Sequence, residues 1–195
     1  MCRWGCSSSD APNPETQNPN YMISPKLRSP SRLSLTVLLS AAAFAPAPAP
    51  ALAQDLGIEV GAQAPAVTVQ ALDGKQVNLG NYIGKTPMLI EFWATWCPNC
   101  RELMPTLLEA EKKYGKQVKF VAIAVAINQS PERVRRWLVA NPMPHETFYD
   151  TDGKMAGAFD APATSYVVVL DKTGRVVYTG LGGKQDLEAA LKKGL

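Results

Sequence analysis

One stretch limits the fold more than any other. From Met88 to Ala94 the chain is apolar except for Glu91, and it continues Thr95-Trp96-Cys97-Pro98-Asn99-Cys100-Arg101. A short, nearly continuous apolar run is a strand covered on both faces, which calls for helices on both sides of a sheet. Pro98 to Tyr114 then reads as a helix, with Leu103, Leu107, Ala110 and Tyr114 on one face and Met104 and Leu108 beside it. Pro98 suits the first helical position, where its missing N–H costs nothing, and Gly115 ends the helix. Pro105 lies inside and should kink it, because its ring collides with the carbonyl of Arg101. Two cysteines, separated by two residues, therefore sit where strand becomes helix. A thiol there faces unpaired N–H groups and the positive end of the helix dipole, which favour its thiolate. The thiolate is the nucleophile of disulfide exchange, so Cys97 reads as the attacking sulfur. Cys100, one turn further in and poorly exposed, reads as the resolving one.

The elements around this junction follow from periodicity. Gly61 to Pro65 opens the domain. Ala66 to Ala71 and Lys75 to Leu79 form a hairpin through Asp73-Gly74, and Gly84 to Pro87 is a loop. Val118 to Ile127 is a second buried strand. Ser130 caps a helix that begins at Pro131, carries Val134, Trp137 and Leu138 inward, and stops at Asn141-Pro142. Asp152-Gly153 turns into a short helical piece through Phe159, and Ala161-Pro162-Ala163 breaks the pattern. Tyr166 to Leu170 and Val176 to Thr179 are antiparallel strands joined at Asp171 to Gly174, and Lys184 to Lys193 is a closing amphipathic helix. The order is a hairpin followed by β-α-β-α-β-β-α. It implies a parallel central pair with helices on both faces and an antiparallel edge.

Not all of the 195 residues read as this domain. Residues 1–32 are a polar, Ser/Pro/Asn-rich leader that cannot offset its ordering entropy by burial, and it ends in the basic cluster Lys26 to Arg32. Residues 33–53 hold the apolar run Leu33 to Ala45 and the small-x-small pattern Ala51-Leu52-Ala53. That run is the size of a signal-peptide core and short for a membrane span. Cleavage after Ala53 leaves 54–195 as one exported domain beginning at Gln54. Two alternatives stay open: translation from Met22, which makes residues 1–21 an artefact, and retention of the run as an anchor. The net charge of +3 comes largely from Arg3, Lys26, Arg28 and Arg32, so the domain is nearly neutral and offers no nucleic-acid surface. Of the four cysteines, Cys2 and Cys6 leave with the leader. A domain of this size with one remaining pair has no need of a staple, and the pair reads as active.

With these residues in place, the chain resembles the thioredoxin superfamily, and within it the exported TlpA/ResA-like branch with its AhpC/TSA-related redoxin domain. The resemblance rests on Trp96-Cys97-Pro98-Asn99-Cys100 at a strand-to-helix junction, Phe92 to Thr95 before it, Pro105 five residues after Cys100, and the opening hairpin. It implies an α/β, thioredoxin-like fold: a mixed central sheet flanked by helices, with an N-terminal hairpin extension. It implies that Glu91, six residues before Cys97, is the buried acid that helps to deprotonate Cys100. A carboxyl in an apolar strand should carry a raised pKa suited to a base near neutrality; the bland alternative is a Glu91 that points to solvent. Ala161-Pro162 resembles the family loop whose cis proline faces the dithiol and pairs with a bound peptide, as in strand addition. The spacing from Pro162 to Gly174 is longer than in the family, and an ordinary trans proline is the alternative. Trp96, partly exposed, would form the substrate platform with Pro98, Asn99, Ala161 and Pro162, whereas Trp93 and Phe92 would be core.

The implied activity is that of a periplasmic thiol:disulfide oxidoreductase. It would reduce exported proteins, such as apocytochrome cysteines, with electrons from a membrane-bound thiol donor. The implied protein is a monomer and needs no cofactor beyond the Cys97–Cys100 disulfide. Pro98 in the first place between the cysteines departs from the branch's reductants, which carry proline next to the second cysteine, so the redox direction stays open. Three rival readings remain: an oxidase or isomerase, a peroxiredoxin-like peroxidase, and a chaperone-like peptide binder. The peroxidase suffers because Ile90 and Ala94 stand where its Pro and Thr belong. No metal is expected. The single histidine, His145, falls in a probable surface loop, and two cysteines with it make no zinc set.

Overall fold

The computed structural model describes residues 56–195; the leader, Cys2, Cys6, the apolar run and the expected new terminus at Gln54 lie outside them. Seven strands form one sheet in the order β2-β1-β5-β4-β3-β6-β7. The hairpin is β1 (Thr68–Ala71) and β2 (Gln76–Asn78), followed by a 3₁₀ turn at Leu79–Asn81. The centre is β3 (Met88–Trp93), whose six residues are all buried, flanked by β4 (Lys119–Val125) in parallel and β6 (Tyr166–Leu170) antiparallel. β7 (Val176–Leu181) closes that side. Residues 61–64 exchange main-chain hydrogen bonds with Gly174 and Val176, and so cover the start of an edge that would otherwise be open.

The helices take both faces, as a doubly covered β3 requires. Helix α1 (Pro98–Tyr114) and helix α4 (Leu187–Lys192) share one face, where Leu103, Leu107, Leu187 and Leu191 pack on Leu89, Val167 and Val169. Helix α2 (Pro131–Ala140) and helix α3 (Lys154–Ala158) bring Val134 and Met155 into the other core with Met88, Ile90, Phe92 and Val168. Side chains of a strand alternate between its faces, so β3 feeds both cores. Phe92 is fully buried between the rings of Phe159 and Tyr166, and its truncation to Ala should cost about 3–5 kcal/mol. Helix α1 is continuous across Pro105. Ser130 caps α2 by accepting the N–H of Arg133. Among the described residues no helix is long and apolar enough to cross a membrane.

Two expectations need correction. The strand order omitted β5 (Glu146–Asp150), which runs parallel to β4 and pairs antiparallel with β1. It therefore joins the hairpin to the sheet and makes three parallel strands rather than two. Its residues Glu-Thr-Phe-Tyr-Asp carry acids at both ends and little apolar alternation, so the strand exists because its two neighbours complete its hydrogen bonds. The second correction is His145. It is no surface residue: its side chain is 2% exposed, and its Nδ1 lies 2.6 Å from Glu111 Oε2. A strand begins immediately after it, and α1 lies across it.

Candidate active site

The last residue of β3, Trp93, is followed by a tight turn in which Cys97 donates its N–H to the carbonyl of Ala94. Cys97 is the N-cap of α1, with extended backbone, and Pro98 follows at the first helical position. The Cys97 sulfur accepts the N–H of Cys100 at 3.0 Å, the hydrogen bond that a capping oxygen would make. Cys97 and Cys100 are joined as a disulfide with their Cα atoms 5.4 Å apart. Exposure does not distinguish the two, since each residue is 2% exposed. Cys100 is poorly exposed as expected, and in the disulfide Cys97 is shielded beside it. What differs is position on the helix. Only Cys97 stands at its tip, where helix-end electrostatics are worth about 0.3–1 kcal/mol, and up to about 2 in partly buried settings. Pro98 and Asn99 are exposed around the pair.

Glu91 is 3% exposed, which removes the solvent-facing alternative. Burial alone pushes its carboxyl up to about 8. By strand alternation it shares the face of Leu89, which packs on Leu103 and Leu107 of α1, so Glu91 lies beneath the helix that carries Cys100. A buried acid with a pKa near neutrality can both give and take a proton at working pH.

Trp96 is 37% exposed, and its indole N–H donates to the carbonyl of Ile127 at 2.7 Å. Phe92 and Trp93 are core residues, with Trp93 packed at a tilt against the ring of Trp137. A mostly apolar groove of about 610 Å³ runs between Trp96, Val125 and Ile127 on one side and Ala161, Pro162 and Thr164 on the other. The fold thus brings Trp96 and the Ala161-Pro162 loop together; Pro98 and Asn99 stand outside that lining. A larger depression of about 730 Å³ lies between β1 and α3; neither cysteine lines it or the groove, but the groove begins at Trp96, next to Cys97. Among the described residues no group of three or more His, Cys, Asp or Glu side chains is placed to hold a metal ion.

Ser165, fully buried with φ +63°, makes the junction to β3: its N–H donates to the carbonyl of Phe92 at 2.7 Å and its hydroxyl to that of Gly182 at 3.0 Å. Gln185 Nε2 donates to the Ser165 carbonyl, so neighbours hold this uncommon backbone conformation from several sides. Sequence reasoning missed Ser165, and it missed Gln129, which receives the Thr95 N–H on Oε1 and donates Nε2 to the Val125 carbonyl. Neither carries a periodic or motif signal, because each acts through contacts distant in sequence.

Comparison with known proteins agrees with this geometry. The profile of the Redoxin family matches residues 59–193. The chain is 29% identical over 143 residues to the thioredoxin-like protein YneN of Bacillus subtilis, covering 71% of this chain and 82% of that one. It is 27% identical over 164 residues to the thiol-disulfide oxidoreductase ResA of Bacillus anthracis, covering 83% and 94%. In fold it is similar to the thioredoxin domain of a thiol-disulfide oxidoreductase of Bacteroides vulgatus, with TM-score 0.60, 21% identity and coverage of 70% and 97%. It is also similar to a thiol:disulfide interchange protein of Chlorobium tepidum, with TM-score 0.58, 23% identity and coverage of 70% and 97%.

Proposed function

The chain belongs to the Redoxin family and is a thiol–disulfide oxidoreductase, and on that premise we propose that it reduces disulfides of exported proteins through Cys97, with Cys100 resolving and Glu91 serving Cys100. The observation that carries this reading is the placement of one sulfur at the tip of α1 above a buried carboxyl pushed up to about 8. In the reduced enzyme the Cys97 thiolate attacks one sulfur of a substrate disulfide. The substrate S–S bond breaks, one substrate sulfur leaves as a thiolate, and Cys97 holds the other. Ionised Glu91 takes the Cys100 proton, and the Cys100 thiolate then attacks the Cys97 sulfur. The second substrate thiolate leaves, and the Cys97–Cys100 disulfide of this structure is formed. The substrate has gained two electrons, and a thiol donor must return them to the enzyme. A membrane-bound donor fits the family resemblance.

The groove beside Trp96 suits an extended peptide strand around the substrate cysteine, with Trp96, Ala161 and Pro162 against it and Pro98 and Asn99 at the point of attack. Export, and with it a periplasmic site for the reaction, is supported by the basic cluster before Leu33 to Ala45 and by Ala51-Leu52-Ala53. Cytochrome c maturation is one task of this kind.

Reduction of insulin tests the reading. Wild-type chain should turn over and Cys97→Ser should not. Equal activity in the variant rejects the mechanism, and no turnover by the wild type favours a peptide-binding module. The same machinery runs backwards in an oxidase; Pro98 in the first place between the cysteines is shared with strong oxidants and glutaredoxins, whereas Asn99 stands where those oxidants carry a His, so the direction stays open. The equilibrium potential against glutathione decides: a value near about −270 mV indicates a reductant, and one near about −120 mV an oxidant.

A further inference from the structure

Every hydrogen-bonding group of Thr95, two residues ahead of Cys97, is engaged by a side chain from elsewhere in the fold. Its N–H goes to Gln129, its hydroxyl accepts Nε of Arg133 at 3.1 Å, and its carbonyl accepts Nη1 of Arg101 at 3.5 Å. Thr95 is 6% exposed, so this is a built junction and not a surface encounter. It brings two guanidinium groups, one from α1 and one from α2, to the loop that delivers Cys97. The acids next to them in sequence are engaged elsewhere: Glu102 faces Lys184, and Glu132 pairs with Arg135. Among the described residues neither Arg101 nor Arg133 is in an ion pair, so both keep their charge available at the rim of the site. Other titratable groups near this end of the sheet include Glu91 beneath α1, Asp150 and Asp152 across the groove, and Asp160 directly ahead of Ala161. Asp150 accepts the N–H groups of Met155 and Ala156, and Asp152 pairs with Lys154.

We infer that Arg101 and Arg133 are positioning residues of the exchange reaction: fastened at Thr95, they hold the loop ahead of Cys97 and set two positive charges beside its sulfur when it ionises. This rests on the oxidoreductase reading but is tested apart from it. The guanidinium is suited to the task because it stays charged at every working pH and offers a fork of donors. Across a wet surface each charge should change the thiolate fraction by about twofold, and salt should weaken the effect.

The test is alkylation of the reduced full-length chain by iodoacetamide between pH 5 and 9, with mass spectrometry assigning the label to Cys97. No substrate disulfide enters this measurement, so failure of the enzymatic reading in the insulin assay is separable from failure here. Arg101→Gln and Arg133→Gln should each slow labelling about twofold at low pH, and the double variant about fourfold, with equal rates at the alkaline plateau. Arg133→Lys should restore most of the rate, and added salt should narrow every difference. Thermal unfolding of each variant confirms that it is folded, and the single variants carry the test if the double one is not. An unchanged profile in the folded glutamine variants overturns the inference. So does a lysine variant as impaired as the glutamine one, since charge would then not be the cause.

Discussion

Two glutamates show what burial does at opposite ends of one sheet. At the cysteine end, Glu91 is enclosed with desolvation as the sole cause acting on it, and its carboxyl is pushed up to about 8. At the other end, Glu111 of α1 lies 2.6 Å from the buried His145 ahead of β5. Glu91 lies under the first turn of α1; Glu111 lies in its last turns. An enclosed acid without a partner stays neutral until the pH approaches its raised pKa, and then exchanges a proton with whatever thiol is near. A partly exposed acid with a buried histidine against it ties a helix to the start of a strand. On the proposed mechanism chemistry belongs to the first and fastening to the second, and substitutions at the two ends should separate activity from stability.

The largest effect is expected at the cysteines: Cys97→Ser should remove insulin reduction, while Glu111→Gln should leave turnover per folded molecule unchanged. Glu91→Gln comes next. It should slow the resolving step about 100-fold, so that the mixed disulfide accumulates and is visible by mass spectrometry. The same variant tests the pKa through stability. Below about pH 4.5 Glu91 is protonated in both the folded and the unfolded chain. Between about 4.5 and 8 only the unfolded chain loses the proton, so folding stability falls as pH rises, by up to about 1.4 kcal/mol per unit. Above about 8 both states are ionised and the fall stops. Urea unfolding at a series of pH values should show this slope in the wild type and its absence in Glu91→Gln.

At the other end, Glu111→Gln replaces the carboxylate facing His145 by a weaker partner and should cost about 1–3 kcal/mol in the same unfolding assay. The smallest effect belongs to the groove. Trp96→Ala should raise KM about three- to tenfold with kcat little changed, since the indole is partly exposed and serves as a platform. Equal losses of kcat in Trp96→Ala and Glu91→Gln would erase the distinction between holding substrate and moving protons.

The same two ends differ in how well the sequence describes them. Glu91, Trp96, Cys97 and Cys100 lie within one ten-residue stretch that runs from a strand into a helix whose periods are plain, so their arrangement follows from local rules. Helix α2 was legible from Ser130-Pro131, and β6 with β7 from the β-branched run and the Asp171 to Gly174 turn. The pairing of His145 with Glu111 joins residues 34 apart in sequence, just ahead of a strand with little apolar alternation, and nothing local announces it. Thr95, Gln129 and Arg133 form a polar junction of the same long-range kind. Ser165 was hidden because its backbone conformation is imposed by Phe92, Gly182 and Gln185 rather than by its own preference. Apolar periodicity records which face of an element is covered; it holds no record of which polar group meets which.

The most direct test is to follow the carboxyl carbon of Glu91 by ¹³C NMR as the oxidised protein is titrated, with Glu91→Gln to assign the signal. The account predicts an inflection near pH 8 for Glu91. An inflection near 4.5, the ordinary value for the side chain, would show a carboxyl in contact with water and would contradict the proton-exchanging role given to it.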